Sequence, residues 1–238
     1  MPRPSRPSSP APGDLPLAFG GVDLVLLPER AVFRPDARTL YVADTHWGKP
    51  ATFRAAGIAV PGGTTEADFD RLTAAVARTG ADRLVVLGDL LHARRGRREA
   101  ATLAAVAAWR AANPKLRVEL IEGNHDRAAG RPDPAWGIVE RPDPTLDPPL
   151  VLKHYPDADP AGSVLAGHEH PAVRLNGPGG EKLKLPCFRV GRDVLTLPAF
   201  STFADGGTVR PRAGERIVVV ADGELVEVAP QAAGRRFG

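Results

Sequence analysis

All six histidines of the 238-residue sequence lie in or beside polar clusters that follow short apolar runs. Each run is typical of a strand, so each cluster is expected at the carboxyl end of its strand, where ligands bind in open α/β sheets. The spacing therefore predicts that the clusters converge on one crevice. They are Asp44-Thr45-His46, Gly88-Asp89-Leu90-Leu91-His92, Gly123-Asn124-His125-Asp126, His154 and Gly167-His168-Glu169-His170.

The residue types in these clusters are those of a metal site. Positions i and i+2 of an extended segment point to the same side, so Asp44 and His46 are expected to reach one centre together. The same holds for His168 and His170. Carboxylate, amide and imidazole donors without a nearby thiolate suit Mn²⁺, Fe or Zn²⁺ better than soft metals. The predicted ligands are Asp44, His46, Asp89, Asn124, His154, His168 and His170.

The number of donors and their charge narrow the chemistry. Seven donors are too many for one centre that keeps an open position, so they predict two ions. Two divalent ions and two carboxylates leave two positive charges over, which a phosphodiester and a hydroxide would neutralise. Two metals ~3.5–4 Å apart can lower the pKa of a bridging water and stabilise both the attacking and the leaving oxygens. The predicted reaction is the hydrolysis of a phosphate ester.

The elements that must position these clusters change in type along the chain. Strands are predicted at 22–27, 39–43, 84–87 and 117–121, with helices at 65–78 and 97–111. After a loop-rich stretch at 127–149, the pattern is strand-like at 150–153, 163–166, 184–190, 194–197, 216–220 and 224–228. Asp222-Gly223 is a hairpin signal between the last two strands. The predicted fold is α/β, a four-layer αββα sandwich of two mixed sheets with outer helices.

Composition limits the class of protein. With 43% hydrophobic and 25% charged residues the chain is expected to fold, and no apolar run approaches the ~18 residues of a membrane helix. Residues 1–18, rich in proline and serine, are predicted to be a disordered tail before a single domain at 19–238. Cys187 cannot form an intrachain disulfide and no secretory signal is evident, so a cytoplasmic location is expected.

Charge and aromatic content say little in favour of nucleic acid by themselves. The 31 basic residues barely outnumber the 28 acidic ones. Aromatic residues make up only 5% of the chain, which weakens base stacking as the main mode of binding.

The order of the motifs over residues 44–170 resembles that of the calcineurin-like metallophosphoesterases. The resemblance implies one ligand set of Asp44, His46, Asp89 and His170 and a second of Asn124, His154 and His168, with Asp89 bridging. It also implies that His125 is no ligand and acts on the leaving group, which a histidine can do near neutral pH. Asp126 is predicted to belong to the catalytic group with His125 and His92, where it is expected to accept a hydrogen bond and to orient His125 or a ligand.

Finer features are similar to DNA repair enzymes of the superfamily. Gly-Asp-x-x-His, formed with His92, is similar to the double-strand-break repair nucleases, and His92 is expected either to contact the phosphate or leaving group or to brace His125. The stretches 26–30, 46–49, 52–58 and 91–94 look closer still to the ligase-associated DNA damage response phosphoesterases. That resemblance implies an endonuclease in DNA repair, with a DNA ligase, a helicase and an exonuclease as partners. Together with the predicted metal site, it leads us to expect a Mn²⁺-dependent phosphodiesterase that acts on single-stranded DNA, ends or flaps.

Basic residues near the motifs are candidates for substrate contact. Arg94 and Arg95 either contact the DNA backbone or belong to a solvated basic loop. Lys49 and Arg54 are expected to contact the substrate, and Trp47 either stacks on it or packs in the core. Two other functions remain open: a phosphodiesterase for a small nucleotide or lipid-linked substrate, and an adaptor in a repair complex.

Overall fold

Apolar runs organise the chain into two mixed β-sheets that pack face to face. The computed structural model describes residues 11–60, 64–93, 99–176 and 182–228. Within these residues the chain forms sixteen strands, four α-helices and one 3₁₀ turn.

The first sheet has seven strands, which lie across it in chain order. They are β1 (Leu15–Phe19), β2 (Val22–Leu27), β3 (Ala31–Arg34), β4 (Thr39–Val42), β5 (Arg83–Leu87), β6 (Arg117–Ile121) and β7 (Ile138–Arg141). Strands β1 to β4 form an antiparallel meander, and β4 to β7 are parallel. β5 is buried at all five positions, as expected for a parallel strand that is covered on both faces.

The helices lie in the first half of the chain. They are α1 (Lys49–Ala55), α2 (Thr64–Thr79), α3 (Ala100–Ala112) and α4 (Asn124–Ala129), with the 3₁₀ turn at Pro134–Trp136. Leu72 of α2 and Val106 of α3 pack on the outer face of the first sheet. α3 begins at Ala100, where the extended residue Glu99 caps it by accepting the Thr102 backbone N–H; the predicted start at 97 lies outside the described residues.

The second sheet forms from the second half of the chain. Its strands are β8 (Thr145–Asp147), β9 (Leu150–Leu152), β10 (Ser163–Ala166), β11 (Pro171–Asn176), β12 (Lys182–Val190), β13 (Val194–Thr196), β14 (Gly207–Thr208), β15 (Arg216–Ala221) and β16 (Glu224–Val228). The order is β14-β11-β12-β13-β10-β9-β8, with β15 paired to β12 and β16 paired to β15. Parallel pairs around β10 and antiparallel pairs around β12 make this sheet mixed.

The predicted sandwich of two mixed sheets is confirmed. Tyr41, Val85 and Leu87 of the first sheet meet Leu165 and Phe188 of the second in a buried core. Helices cover the outer face of the first sheet. On the outer face of the second sheet, the apolar cluster around the buried Cys187 consists of strand and loop residues as far as the described chain shows.

The predicted boundary of the N-terminal tail at residue 18 is wrong. Leu15–Phe19 pairs with β2 in register, and Leu17 and Phe19 are buried. Leu17 and Phe19 alternate with exposed residues as in a strand, but Pro16 made the segment look like part of the proline-rich tail. Proline is compatible with an edge strand such as β1. Among the described helices, none combines the length and apolarity that crossing a membrane requires.

Candidate metal centre

Residues that follow five strands meet at one end of the sandwich. Asp44, Asp89 and Asn124 follow the neighbouring strands β4, β5 and β6 of the first sheet. His154 and His168 follow the neighbouring strands β9 and β10 of the second. Because all five strands end at the same place, the structure brings the seven predicted donors together.

Asp44, His46 and His170 form the first group of donors. His46 Nε2 lies 3.2 Å from His170 Nε2, which lies 3.4 Å from Asp44 Oδ1. His170 Nδ1 is 3.2 Å from the carbonyl oxygen of Asp205, which can only accept, so we assign the ring proton to Nδ1. His170 Nε2 then directs a lone pair toward the other two side chains. Burial, followed by the neighbouring His170, holds the pKa of His46 well below its usual range, so this imidazole is neutral.

Asp89, Asn124, His154 and His168 form the second group. His154 Nε2 lies 3.0 Å from Asn124 Oδ1, 3.1 Å from His168 Nδ1 and 3.6 Å from Asp89 Oδ1. His154 Nδ1 is 3.1 Å from the carbonyl oxygen of Leu87, so it carries the proton and leaves the Nε2 lone pair facing its neighbours. The ligand atoms of four side chains thus face one another.

The two groups adjoin at the buried carboxylates. The ligand atoms of Asp44, Asp89 and His154 all lie within 4.8 Å of one another, so Asp89 is placed between the groups. Within the described residues, the buried Asp44 Oδ1 meets no hydrogen-bond partner. Buried acceptors that face other acceptors are unfavourable unless a cation lies between them. The donor set therefore fits divalent ions, which oxygen and imidazole ligands suit.

Glycines at three of the motifs let the ligands approach one another. A Cβ on Gly88 would lie 2.0 Å from His154 Nδ1, and one on Gly123 would lie 2.3 Å from Asp89 Oδ1. A Cβ on Gly167 would lie 2.6 Å from an Asp44 carboxylate oxygen. These glycines stand in the sequence motifs, and their role as spacers comes from the structure.

The convergence has a different local cause from the one predicted. Five of the donors have left-handed backbone, with φ of 54° at Asp44, 46° at His46, 53° at Asp89, 70° at His168 and 44° at His170. The expectation that the i and i+2 residues lie in extended segments is therefore wrong. Left-handed non-glycine residues cost about 1–3 kcal/mol each and cluster at functional sites, where the surrounding structure holds them.

Comparison with known proteins decides the family. The model of the calcineurin-like phosphoesterase family matches residues 37–195, which include all seven donors. The chain belongs to this family. It is therefore a metal-dependent phosphoesterase, a hydrolase that acts on ester bonds.

Solved structures and curated proteins complete the comparison. The Pseudomonas putida nuclease MPE is 38% identical, with a TM-score of 0.80, and the match covers 90% of this chain and 100% of that one. The phosphoesterase Yfce from E. coli is 16% identical, with a TM-score of 0.38 and coverage of 81% and 99%. A predicted phosphoesterase from Streptococcus pneumoniae TIGR4 is 13% identical, with a TM-score of 0.29 and coverage of 80% and 95%. No curated protein matches the chain.

His125 of the phosphoesterase lies at the edge of the donor groups. Its Nε2 is 3.9 Å from Asp89 Oδ2, and its backbone N–H donates to Asp89 Oδ1 at 2.9 Å. Its Nδ1 is 2.9 Å from the carbonyl oxygen of His92, and the two rings stack with centroids 5.1 Å apart. Burial lowers the pKa of His92 to about 4. The contacts favour the bracing role of His92, and its contact with a phosphate stays a prediction.

Asp126 of the phosphoesterase is a positioning residue. Its buried carboxylate accepts the backbone N–H of Leu91 and that of Gly123, each at 3.0 Å. It thereby ties the loop after β5 to the loop after β6. These contacts hold the backbone before His92 and Asn124, in line with the expected orienting role, and a part of Asp126 in catalysis stays a prediction.

The remaining predicted contacts of the phosphoesterase have mixed outcomes. Lys49 begins α1 three residues after His46 and is half-buried, and this burial lowers its pKa. Arg54 is exposed in the last turn of α1. Trp47 is buried against Phe69, Trp109 and Trp136, so of its two predicted roles core packing is confirmed. Arg94 and Arg95 lie outside the described residues.

The sequence did not indicate two further features of the phosphoesterase. The ring centroid of Tyr155 lies 4.4 Å from that of His168 and 4.9 Å from that of His154. The loop 199–206 runs beside Asp44, since Ser201 N–H donates to the Asp44 carbonyl at 3.3 Å, and it supplies the Asp205 carbonyl that contacts His170. Tyr155 follows His154 directly, which is the sequence signal that could have drawn attention to it.

Proposed function

We propose that the chain is a nuclease that hydrolyses phosphodiester bonds of DNA with two Mn²⁺ ions, and that it cleaves within single strands or at ends and flaps. The observation that carries the proposal is the complete set of seven donors in a chain that is 38% identical to a nuclease over 90% of its length. Two divalent ions carry four positive charges, and the donors include only two carboxylates. The site therefore suits a substrate that brings one negative charge for each phosphodiester linkage.

Each of the two donor groups is proposed to hold one ion. Asp44, His46 and His170 would hold one, Asn124, His154 and His168 the other, and Asp89 lies where it can serve both. Bound divalent ions supply Lewis-acid activation of water and of the phosphoryl oxygens. Mn²⁺ is proposed because the carboxylate and amide oxygens suit it, while the imidazoles make Fe and Zn²⁺ the alternatives.

The chain's own residues orient the substrate and move one proton. The carbonyl of His92 holds the Nδ1 proton of His125, so that Nε2 faces the donor groups beside Asp89. When His125 is protonated, its Nε2–H can be donated to the leaving oxygen as the P–O bond breaks. General acid catalysis of this kind contributes about 10²–10⁴-fold to rate.

Cleavage of defined DNA tests the proposal. With Mn²⁺, the wild type is expected to cut a single strand or a flap, Asp89→Asn is expected to lose nearly all activity, and His125→Ala is expected to lose about 10²–10⁴-fold. Asp23→Asn makes the same chemical change at an exposed position of β2 and should be fully active. A wild type without cleavage, or variants that cut as fast as it does, would contradict the nuclease function.

A second candidate substrate is a small nucleotide or lipid-linked diester. A cavity of about 490 Å³ beside His168 favours it, because that volume is typical of small-molecule sites. Competition separates the two functions. If a nucleotide diester is hydrolysed efficiently while DNA neither inhibits nor is cut, the second function is correct.

The proposed role in repair includes a DNA ligase, a helicase and an exonuclease as partners, and a cytoplasmic location. This part of the proposal follows from the sequence resemblance to the ligase-associated phosphoesterases. Damage tolerance in cells that carry Asp89→Asn distinguishes catalysis from an adaptor role. Catalysis requires that this variant fail to restore tolerance, whereas an adaptor would restore it.

A further inference from the structure

The aromatic side chains that reach the surface lie at the metal centre. Every described Phe, Tyr and Trp side chain is buried except Phe53, Tyr155 and Phe203. Each of the three belongs to a group of rings that includes a histidine of the site. A low aromatic content weakens base stacking only if no exposed aromatic residue lies at the site, and here the three partly exposed ones do.

Tyr155 borders the second group of donors. Its ring packs at about 60° to the ring of His168, and its hydroxyl is 3.4 Å from Arg127 Nη2, so both ends of the side chain are held. The cavity of about 490 Å³ opens beside it. The walls of this cavity include Asp193 as well as the highly exposed Arg192, so it suits a base with hydrogen-bonding edges better than a bare phosphate.

Phe53 borders the His92–His125 pair, whose ring centroids lie 5.4 and 5.1 Å from that of His46 in the first group of donors. Its ring centroid lies 6.2 Å from that of His92, which stacks on His125. Phe203, from the loop 199–206, packs edge-on against Phe53, with the two ring centroids 5.3 Å apart. An apolar wall from α1 and this loop therefore stands next to the histidine that is proposed to protonate the leaving oxygen.

We propose that Tyr155 and Phe53 are stacking platforms for the nucleobases that flank the scissile phosphate. This inference rests on the proposed nuclease function and adds a requirement on the substrate. A phosphate at the donor groups has one nucleoside on each side, and the two platforms border different donor groups. Base stacking on an aromatic side chain does not depend on sequence but needs an unpaired base, so the strand must be unpaired where it is cut.

The test compares strands with and without bases. A thymidine homopolymer and an abasic homopolymer of equal length are cleaved with Mn²⁺, and kcat/KM is measured for each. The wild type is expected to prefer the thymidine strand by about 10-fold or more. Tyr155→Ala and Phe53→Leu should each lose about 10-fold on the thymidine strand and change little on the abasic one.

Conservative variants separate stacking from structure. Tyr155→Phe and Phe53→Tyr retain the rings and should keep the preference for the thymidine strand, and Val226→Ala, at an exposed apolar residue of β16, is the surface control. Metal content and thermal unfolding confirm that each variant is loaded and folded.

Equal cleavage of both strands by the wild type, or equal slowing of both by the variants, overturns the stacking role alone. A wild type that cleaves neither strand overturns the nuclease function together with it.

Discussion

At the scale of single residues, the site depends on groups that never touch the substrate. The Asp205 carbonyl fixes the proton of His170, and the Leu87 carbonyl fixes that of His154. In both cases a backbone acceptor decides which ring nitrogen offers a lone pair. The donors themselves could be predicted from residue type and order. Their tautomers could not, because the carbonyls that set them come from distant parts of the chain.

Asp126 provides a residue-scale prediction. Asp126→Asn keeps one acceptor oxygen but turns an amide N–H₂ toward the second backbone N–H, that of Leu91 or Gly123. A buried donor left without an acceptor costs about 1–3 kcal/mol, so the free energy of unfolding should fall by that amount. Urea unfolding measures it. Asp23→Asn, on an exposed carboxylate, should change stability by less than about 0.5 kcal/mol.

At the scale of elements, α2 supports the metal centre through the loop 199–206. Asp68 of α2 accepts the backbone N–H of Thr202 at 3.2 Å and its hydroxyl at 3.1 Å. Arg71 donates both to Asp68 and to the Phe200 carbonyl of the same loop. The loop in turn contacts His170 through Asp205, so a helix on the outer face of the first sheet helps to orient a donor.

Removing this support should weaken metal binding. We expect Asp68→Ala to raise the Kd for Mn²⁺ by up to about 10-fold, because direct partners of ligands contribute about 10–100-fold and Asp68 acts one step further away, through the loop. Titration calorimetry with the apoprotein measures it. Asp70→Ala, two residues along the same helix and exposed, is the matched control and should bind as the wild type does. Equal affinity of Asp68→Ala and Asp70→Ala would show that the loop is held without α2.

Elements with a strong local pattern could be predicted, and those that depend on neighbours could not. β6 and β16 lie at 117–121 and 224–228 as predicted, and Asp222-Gly223 makes the predicted tight turn with φ of 47° and 79°. β7 was missed because it is a short edge strand with half-exposed alternation, formed by pairing with β6. The left-handed backbone of the ligands could not be predicted either, because only contacts within the assembled sheets hold that conformation.

At the scale of the whole molecule, a buried ionic network joins the two sheets away from the donors. Arg83 begins β5, the strand that ends before Asp89, and forms a bidentate pair with Glu119 of β6 at 3.0 and 3.1 Å. It also donates to Asp147 of β8 at 2.8 Å, and Tyr41 of β4 donates to the same carboxylate at 2.6 Å. One arginine therefore connects the first sheet to the second.

Loss of Glu119 should destabilise the whole fold without altering the reaction. Burial raises the pKa of Glu119, but hydrogen bonds from Arg83 and Arg141 outweigh it, and the net pKa lies below its usual value. The folded state therefore binds fewer protons than the unfolded one, so this contribution to stability is present above the unfolded pKa and is lost as pH falls through the folded value. Glu119→Ala removes the bidentate partner of Arg83, which keeps its contact with Asp147, so the change should cost about 1–3 kcal/mol. Urea unfolding at neutral and acidic pH should show that cost at neutral pH and a smaller one in acid.

Glu66→Ala, exposed on α2, is the control and should show neither cost. The phosphodiesterase activity of folded Glu119→Ala should equal that of the wild type, because the network and the donors lie toward opposite ends of β5.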